Sequence, residues 1–204
     1  MHVKTQGLVL RETNYKEADK ILTVLTREGG KRTVKARGCR RKNSPLAASA
    51  QLLAWSDMTL FAYRDRLTLN EAEALELFWG VRADVEKLAL ASYFAEVTEA
   101  VAEEGRPDPA LLSLALNSLY ALDKLQRPLP LVKAAFELKL LCVAGYEPLL
   151  DACAVCGRAE PQEPRLDLAE GVLHCAACGL GEEEVLDLFR LLWRDQDTEK
   201  GDAL

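Results

Sequence analysis

Four cysteines constrain this chain more than any other feature, because thiols that share one metal ion must be brought together by the fold. They form two Cys-x-x-Cys pairs separated by 18 residues: Cys153, Cys156, Cys175 and Cys178. That spacing is typical of a zinc site. Four thiolates complete the closed tetrahedral shell of structural zinc, which leaves no position open for catalysis. The pattern predicts one structural Zn²⁺ per chain, in a module of about residues 148–181.

Alternatives to a four-cysteine zinc site remain open. Two disulfides, or four unrelated thiols, would use the same cysteines, although a reducing compartment argues against disulfides. His174 precedes Cys175 and can replace it as a ligand, but we expect the histidine to face solvent. Gly157 and Gly179 follow the two pairs, where the turn favours a positive φ.

The two remaining cysteines are expected to lie in different environments. Cys39 stands among arginines, which should lower the pKa of its thiol. Cys142 falls on the apolar side of a predicted helix, near Phe136 and Leu141, and we expect it in the core.

Composition places the chain among globular proteins, since 49% of its 204 residues are apolar and 28% are charged. We expect no membrane span, because no apolar run approaches the ~20 residues that one needs. The N-terminal residues do not resemble a secretory signal. These features favour a cytoplasmic protein.

The net charge of −6 conceals an asymmetry between the two halves of the chain. Residues 1–80 hold fourteen Lys or Arg against nine Asp or Glu, whereas residues 81–204 hold twelve against twenty-three. The first half is therefore basic within an acidic protein, which suggests that the two halves meet different partners.

Short, β-branched segments in the first eighty residues predict strands. The segments are residues 7–12, 20–26, 31–38, 52–65 and 66–75. Residues 27–30 are the predicted turn of a hairpin between the second and third segments. In the fourth segment, Thr59, Phe61 and Tyr63 share one face. Four or five short strands in so few residues favour a small barrel over an open sheet.

From about residue 76 the apolar period becomes helical. One helix is predicted from there to Gly105, a second from Pro109, and a third from Pro130 to Gly145. Residues 182–195 predict a last helix, with acidic residues in its first turn. Six residues share one face of the second helix: Leu111, Leu112, Ala115, Leu119, Leu122 and Leu125.

The most basic segment, residues 31–42, carries seven cations and no acid. Its predicted strand places Lys31, Thr33, Lys35 and Arg37 on one face, opposite Val34 and Ala36. The row of charges on that face can follow a nucleic-acid backbone. The alternative is a solvated strand and loop. The seven cations are Lys31, Arg32, Lys35, Arg37, Arg40, Arg41 and Lys42.

Two further cations, Arg64 and Arg66, flank the turn of the next hairpin and extend the predicted DNA-binding surface. Tyr63 precedes them. Its ring can stack on a base or pack against the barrel, and both alternatives stay open.

No catalytic motif accompanies these features, and we do not expect an enzyme. Residues 27–33 are not a phosphate-binding P-loop, because Leu25 stands where the first glycine should be. His2 and His174 are the only histidines of the sequence, which argues against a histidine-based triad or metal site.

Three stretches of the chain resemble the RecO family of bacterial recombination mediators: residues 7–46, 91–101 and 136–157. The third is the most specific, because it joins the end of a helix to the first cysteine pair. The resemblance covers about residues 4–180. It implies an α+β protein, with an N-terminal five-stranded OB-fold barrel at 1–79 and an α-helical domain at 80–204 that carries the four-cysteine zinc module.

The resemblance also implies a function. RecO proteins bind single- and double-stranded DNA, anneal complementary strands, and act with RecR and the single-strand-binding protein to assist RecA loading, in the nucleoid-associated cytoplasm and away from membranes. The positions that match the family's basic strand and loop are Lys35, Arg37, Arg40, Arg41 and Lys42. The chain after Cys178 matches the family poorly.

A different class of protein remains as the alternative, a structural zinc-ribbon protein of transcription or translation. In such a protein the cysteine module itself would contact nucleic acid. Residues 151–180 carry two arginines against five acidic residues. This charge favours a structural module over a nucleic-acid-binding one.

Overall fold

The computed structural model describes residues 1–64, 66–161, 163–167 and 169–178. Its first five strands close into a barrel, in the order β1-β2-β3-β5-β4. The strands are β1 His2–Tyr15, β2 Asp19–Thr26, β3 Gly30–Ala36, β4 Trp55–Tyr63 and β5 Arg66–Glu76. The prediction of a small five-stranded barrel is confirmed.

The long first strand closes the barrel because it pairs with two neighbours. Residues 2–8 pair with β4, and residues 7–15 pair with β2. The register with β2 shifts between Val9 and Arg11, as in a β-bulge, and such a bulge bends a strand. Closure is completed by a short parallel ladder, in which Val34 to Ala36 of β3 pair with Leu67 to Leu69 of β5.

Alternation along the strands gives the barrel an apolar interior. On β3, Val34 and Ala36 are fully buried, whereas Thr33 is exposed and Lys35 partly so. The core includes Cys39 from the loop after β3, which is 4% exposed. Burial raises the pKa of this thiol, and nearby Lys20 offsets the effect only in part. The expected lowering of the Cys39 pKa by neighbouring arginines is therefore wrong.

In the described part of the chain, four helices follow the barrel: α1 Trp79–Arg82, α2 Val85–Val101, α3 Pro109–Lys124 and α4 Leu129–Val143. The single helix expected from about residue 76 to Gly105 is divided. Asp84 interrupts it, because its side chain accepts from the N–H groups of Glu86 and Lys87 and so caps a new helix.

The third helix agrees with its predicted apolar face except at the end. Asp108 caps its first turn by accepting from the N–H of Leu111. The leucine and alanine positions of the face are buried as far as Leu122. Leu125 follows the helix in extended conformation and is 43% exposed, because the chain has already left the helical path.

The chain divides into two compact units, Met1–Leu140 and Leu141–Leu204. In the second unit, three short strands form a sheet in the order β6-β8-β7. They are β6 Leu149–Cys153, β7 Pro164–Asp167 and β8 Val172–Cys175. The domain boundary at residue 79 stays a prediction, and the last predicted helix lies outside the described residues.

No helix in the described part of the chain is both long enough and apolar enough to cross a membrane.

Candidate nucleic-acid interface and cysteine cluster

A groove of about 810 Å³ lies on the outer surface of the barrel. All five strands contribute to it, from the end of β1 to the first residues of β5. The described residues that line it are Tyr15, Ile21, Thr33, Lys35, Arg37, Phe61, Tyr63, Arg66, Leu67, Thr68, Leu69 and Asn70. This groove is the candidate nucleic-acid interface.

Three of the predicted DNA-binding cations line the groove: Lys35, Arg37 and Arg66. The strand register brings them together. Lys35 pairs with Thr68 across the parallel β3–β5 ladder, and Arg66 lies two residues before Thr68 on the same face. No acidic side chain is among the described residues that line the groove. The groove can therefore attract phosphate groups.

Three aromatic side chains lie among these cations. Tyr15 is 41% exposed, Phe61 39% and Tyr63 59%. Phe61 pairs with Thr68 and Tyr63 with Arg66 in the β4–β5 ladder. The sequence already put Phe61 and Tyr63 on one face of a strand, so the strand period is confirmed there.

Lys35 is held at one end of the groove by two neighbours. Its ammonium nitrogen lies 3.1 Å from Oδ2 of Asp19 and 4.7 Å from the centre of the Tyr15 ring. The N–H of Gly38 donates to Oδ1 of Asp19 at 2.9 Å. This hydrogen bond, together with Lys35, lowers the pKa of Asp19. The carboxylate therefore competes with any phosphate for Lys35.

The other predicted cations lie around the groove or away from it. Arg64 lies 5.3 Å from the centre of the Tyr63 ring, beside the groove. Arg40, Arg41 and Lys42 are exposed in the loop after β3. We call these three residues the basic loop. The guanidinium of Arg40 donates to the carbonyl of Lys16 at 3.5 Å, which ties the loop to the β1–β2 turn.

Lys31 and Arg32 are at the opposite end of β3 and are not brought into the groove. The ammonium of Lys31 donates to the backbone carbonyl of Glu99 in α2 at 2.8 Å. Arg32 lies near Gly29 and Gly105. Lys31 has the same strand parity as Lys35, as the sequence predicts, but it lies outside the groove because the groove covers only the second half of β3. Arg32 has the opposite parity.

Sequence reasoning missed Tyr15 and Phe61 as parts of the site. Tyr15 is the last residue of β1 and precedes Lys16, so the signal was an aromatic beside a cation at a strand end. Phe61 shares its strand face with Tyr63. Neither signal is specific without the barrel, because ladder pairing decides which strand faces meet.

The four cysteines of the second unit come together as the spacing predicts. Their sulfur atoms all lie within 4.8 Å of one another. The Sγ atoms of Cys156 and Cys175 are 3.9 Å apart. Strand β8 carries Cys175 beside Cys153 of β6, whose Sγ accepts from the Cys175 N–H at 3.3 Å. Gly157 has φ +68°, as expected, and Gly179 lies outside the described residues.

The thiols have unlike acidities because of their surroundings. The N–H groups of Cys156 and Cys175 donate to the sulfur of Cys153 and lower its pKa to about 6. Side-chain hydrogen bonds with Cys175 and Cys156, together with burial, raise the pKa of Cys178 to about 12. Four thiolates at such distances repel one another, and a divalent cation among them removes that repulsion. The donor set fits a soft divalent metal such as zinc.

Two expectations near the cluster are corrected. His174 does not face solvent: its side chain is 15% exposed, and Nδ1 is buried without a hydrogen-bond partner among the described residues. Strand β8 points it toward β7, where Nε2 lies 3.9 Å from Asp167. Cys142 is half-buried near the end of α4 and is not a core residue.

Comparisons with known proteins cover nearly the whole chain. Residues 1–78 match the family described as "Recombination protein O N terminal", and residues 82–193 match "Recombination protein O C terminal". The second match extends beyond Cys178 to residue 193, so the poor family match expected after Cys178 is wrong for those residues.

Individual relatives carry the same name. DNA repair protein RecO of Alkaliphilus metalliredigens is 38% identical over 178 residues, 87% of this chain and 72% of the relative. RecO of Acetivibrio thermocellus is 40% identical over 157 residues, 76% of this chain and 62% of the relative. RecO of Listeria monocytogenes is 38% identical over 154 residues, 76% of this chain and 60% of the relative. The chain thus spans less than two thirds of the length of the last two.

Proposed function

The chain belongs to the RecO family of DNA repair proteins, and on this premise we propose that its barrel groove binds DNA during recombinational repair. The observation that carries the proposal is the set of three cations, Lys35, Arg37 and Arg66, along a groove on one face of the barrel. OB-type barrels bind oligonucleotides on this face, beside the β1–β2 and β4–β5 loops. Tyr15 and Tyr63 lie next to those loops in this chain.

The basic loop extends this surface. Arg40, Arg41 and Lys42 are exposed and follow directly on β3, so a backbone that crosses the groove near Arg37 can continue along them. Arg64 adds charge at the other rim. Lys31 and Arg32 contribute to the field of the basic half but not to the groove.

We extend the proposal to the family's wider activity. Neutralised phosphates let two complementary strands approach, which supports annealing of single strands by a cationic surface. Family membership supports cooperation with RecR, with the single-strand-binding protein and, through them, with RecA. The protein acts on DNA in the cytoplasm as a binding factor and not as an enzyme.

Zinc has a structural role in this proposal. Cys153, Cys156, Cys175 and Cys178 would hold one Zn²⁺ with a closed set of four thiolates. The metal would fix the short sheet of the second unit by tying β6 to β8. Acidic residues predominate around the cluster, which supports a structural module and not a second DNA site.

The test compares two triple variants of the full chain. Changing Lys35, Arg37 and Arg66 to Ala should weaken binding of single-stranded DNA. It should also reduce the slope of log K against log salt by about 2, because each lost phosphate contact removes about 0.7. Binding is measured by fluorescence anisotropy over a range of salt concentrations.

The matched control removes three exposed cations from outside the groove: Lys4, Arg27 and Arg127. It lowers the net charge by the same amount. Equal losses of affinity in the two variants would contradict the groove proposal, since a purely global effect of charge would then explain binding.

A further inference from the structure

We infer that the groove and the basic loop are two separate subsites, and that the groove accepts only unpaired nucleotides because it holds their bases on Tyr15, Phe61 and Tyr63. The inference rests on the proposed function and names which form of the nucleic acid each part of the surface recognises.

The first observation is the exposure of the rings. Each of the three aromatic side chains is at least 39% exposed on the outer surface of the barrel, so the barrel core does not require them. An exposed ring in a cationic groove offers a face to a base, and stacking of this kind tolerates every base. A paired base inside a duplex has both faces covered by its neighbours and cannot use such a ring.

The second observation is the register of the rings with the cations. A row of directly paired residues crosses three strands, Lys35 of β3, Thr68 of β5 and Phe61 of β4. The next pair along the same face is Arg66 with Tyr63. Strands are about 4.8 Å apart, so the row places a ring two strands from a cation. A single strand that crosses the row can set phosphates on one side and bases on the other.

The rings are themselves held by charged or aromatic neighbours. Lys35 lies 4.7 Å from the centre of the Tyr15 ring, and Arg64 lies 5.3 Å from that of Tyr63. The His2 ring lies 5.3 Å from Phe61 at an angle of 57°. These contacts restrict the rings before a ligand arrives, which reduces the entropy lost on binding.

The basic loop has a different composition. It carries three adjacent cations at Arg40, Arg41 and Lys42, and residues 38–48 contain no aromatic residue. The loop can therefore contact phosphates but cannot stack on bases, so it treats single and double strands alike. When two strands pair, their bases stack on one another and no longer contact the three rings. The basic loop still contacts the phosphates of the duplex. The groove then releases the paired product, which remains on the loop.

The experiment uses the full chain and three probes of equal length at one salt concentration: an oligothymidine strand, an abasic strand and a DNA duplex. The aromatic variant replaces Tyr15, Phe61 and Tyr63 by Leu, which keeps apolar bulk and charge but removes the rings. The loop variant replaces Arg40, Arg41 and Lys42 by Ala. Tyr120→Leu, at an exposed tyrosine of α3, is the matched aromatic control.

We expect the aromatic variant to bind oligothymidine at least about tenfold more weakly than the unaltered chain, with unchanged affinity for the abasic strand and the duplex and an unchanged salt slope. The loop variant should lose affinity for all three probes and show a smaller salt slope. Tyr120→Leu should bind as the unaltered chain does.

The inference is overturned if the unaltered chain binds the abasic strand as tightly as oligothymidine, or if the aromatic variant loses the same factor on duplex and single strand. Thermal unfolding of each variant identifies a loss that comes from misfolding. In that case Tyr63→Leu alone repeats the comparison, because its ring is the most exposed of the three. Failure of the proposed function differs: the groove-cation variant would then keep its affinity and salt slope.

Discussion

Asp19 is the residue whose chemistry most directly limits the groove. Its carboxylate pairs with Lys35 and accepts the N–H of Gly38, so it shapes the start of the basic loop and also neutralises one groove cation. A phosphate that binds Lys35 must displace this carboxylate. The free protein therefore holds Lys35 in position over Tyr15 but weakens its attraction for DNA.

Asp19→Asn should tighten DNA binding by about two- to tenfold, because the amide keeps an oxygen for the Gly38 N–H but no longer competes for the Lys35 ammonium. The Gly38 N–H and the Lys35 ammonium lower the pKa of Asp19 below the usual aspartate range, so the carboxylate stays ionised at neutral pH. The difference between variant and unaltered chain should therefore be constant from about pH 5 to about pH 8 and shrink only as the pH falls through the lowered pKa.

Asp57→Asn is the matched control for this substitution, since Asp57 is an exposed carboxylate on β4 outside the groove. It removes the same charge from the same barrel. If both variants tighten binding equally, net charge and not the Asp19–Lys35 pair explains the gain. Anisotropy titrations at matched pH and salt separate the two explanations.

Among the elements, the turn between β2 and β3 determines how the barrel meets the helices that follow it. Gly30 has φ +63°, and a Cβ added to it would meet the carbonyl oxygen of Arg106 at 2.0 Å. Lys31 exchanges backbone hydrogen bonds with residues 103–105. The hairpin therefore docks against the connection between α2 and α3 at a distance that only glycine allows.

Gly30→Ala should destabilise the protein by about 3 kcal/mol or more, because the methyl group adds a backbone clash to the cost of a left-handed conformation, which is about 1–2 kcal/mol. Gly38→Ala is the matched control: Gly38 has φ +64°, but its nearest neighbour is the Arg41 side chain at 3.6 Å. Gly38→Ala should lower the free energy of unfolding only by the cost of the left-handed conformation, about 1–2 kcal/mol. Urea unfolding monitored by circular dichroism measures both. Equal costs would show that the hairpin does not dock as described.

At the scale of the whole molecule, the candidate DNA groove and the cysteine cluster belong to different compact units. The groove lies within Met1–Leu140 and the cysteines within Leu141–Leu204. Each has its own source of order, an apolar barrel core in the first case and four converging thiols in the second. Loss of the metal should therefore lower the stability of the second unit but change the DNA affinity of the barrel only slightly.

Cys153→Ser should reduce zinc content below one per chain and lower the unfolding temperature of the second unit, since metal binding is coupled to folding with ~10–16 kcal/mol in small zinc modules. DNA affinity of the barrel should change less than about twofold. Atomic emission gives the zinc content, calorimetry the transitions and anisotropy the affinity. Cys142→Ser, at the half-buried cysteine outside the cluster, is the control. Full zinc in Cys153→Ser would contradict the ligand assignment.

Much of this architecture could be predicted from sequence because it depends on local rules. The alternation of Val34 and Ala36 with charged residues fixes a strand face. The cysteine spacing fixes which thiols can share a metal. Local rules were insufficient where a competing interaction intervened: Asp84 caps a new helix within a continuous apolar period, and burial of Cys39 in the barrel core outweighs its cationic neighbours in sequence.

By itself the sequence determined the strands, the helical half, the converging cysteines and the basic character of residues 31–42, because period, spacing and charge are properties of a chain segment. Only the tertiary structure decided which cations share a surface. Pairing of β3 with β5, and of β5 with β4, places Lys35 and Arg66 beside Phe61 and Tyr63. At the other end of β3, the ammonium of Lys31 donates to the backbone carbonyl of Glu99 in α2. The β3–β5 ladder joins residues about thirty positions apart, such as Lys35 and Thr68, and no local pattern carries that information.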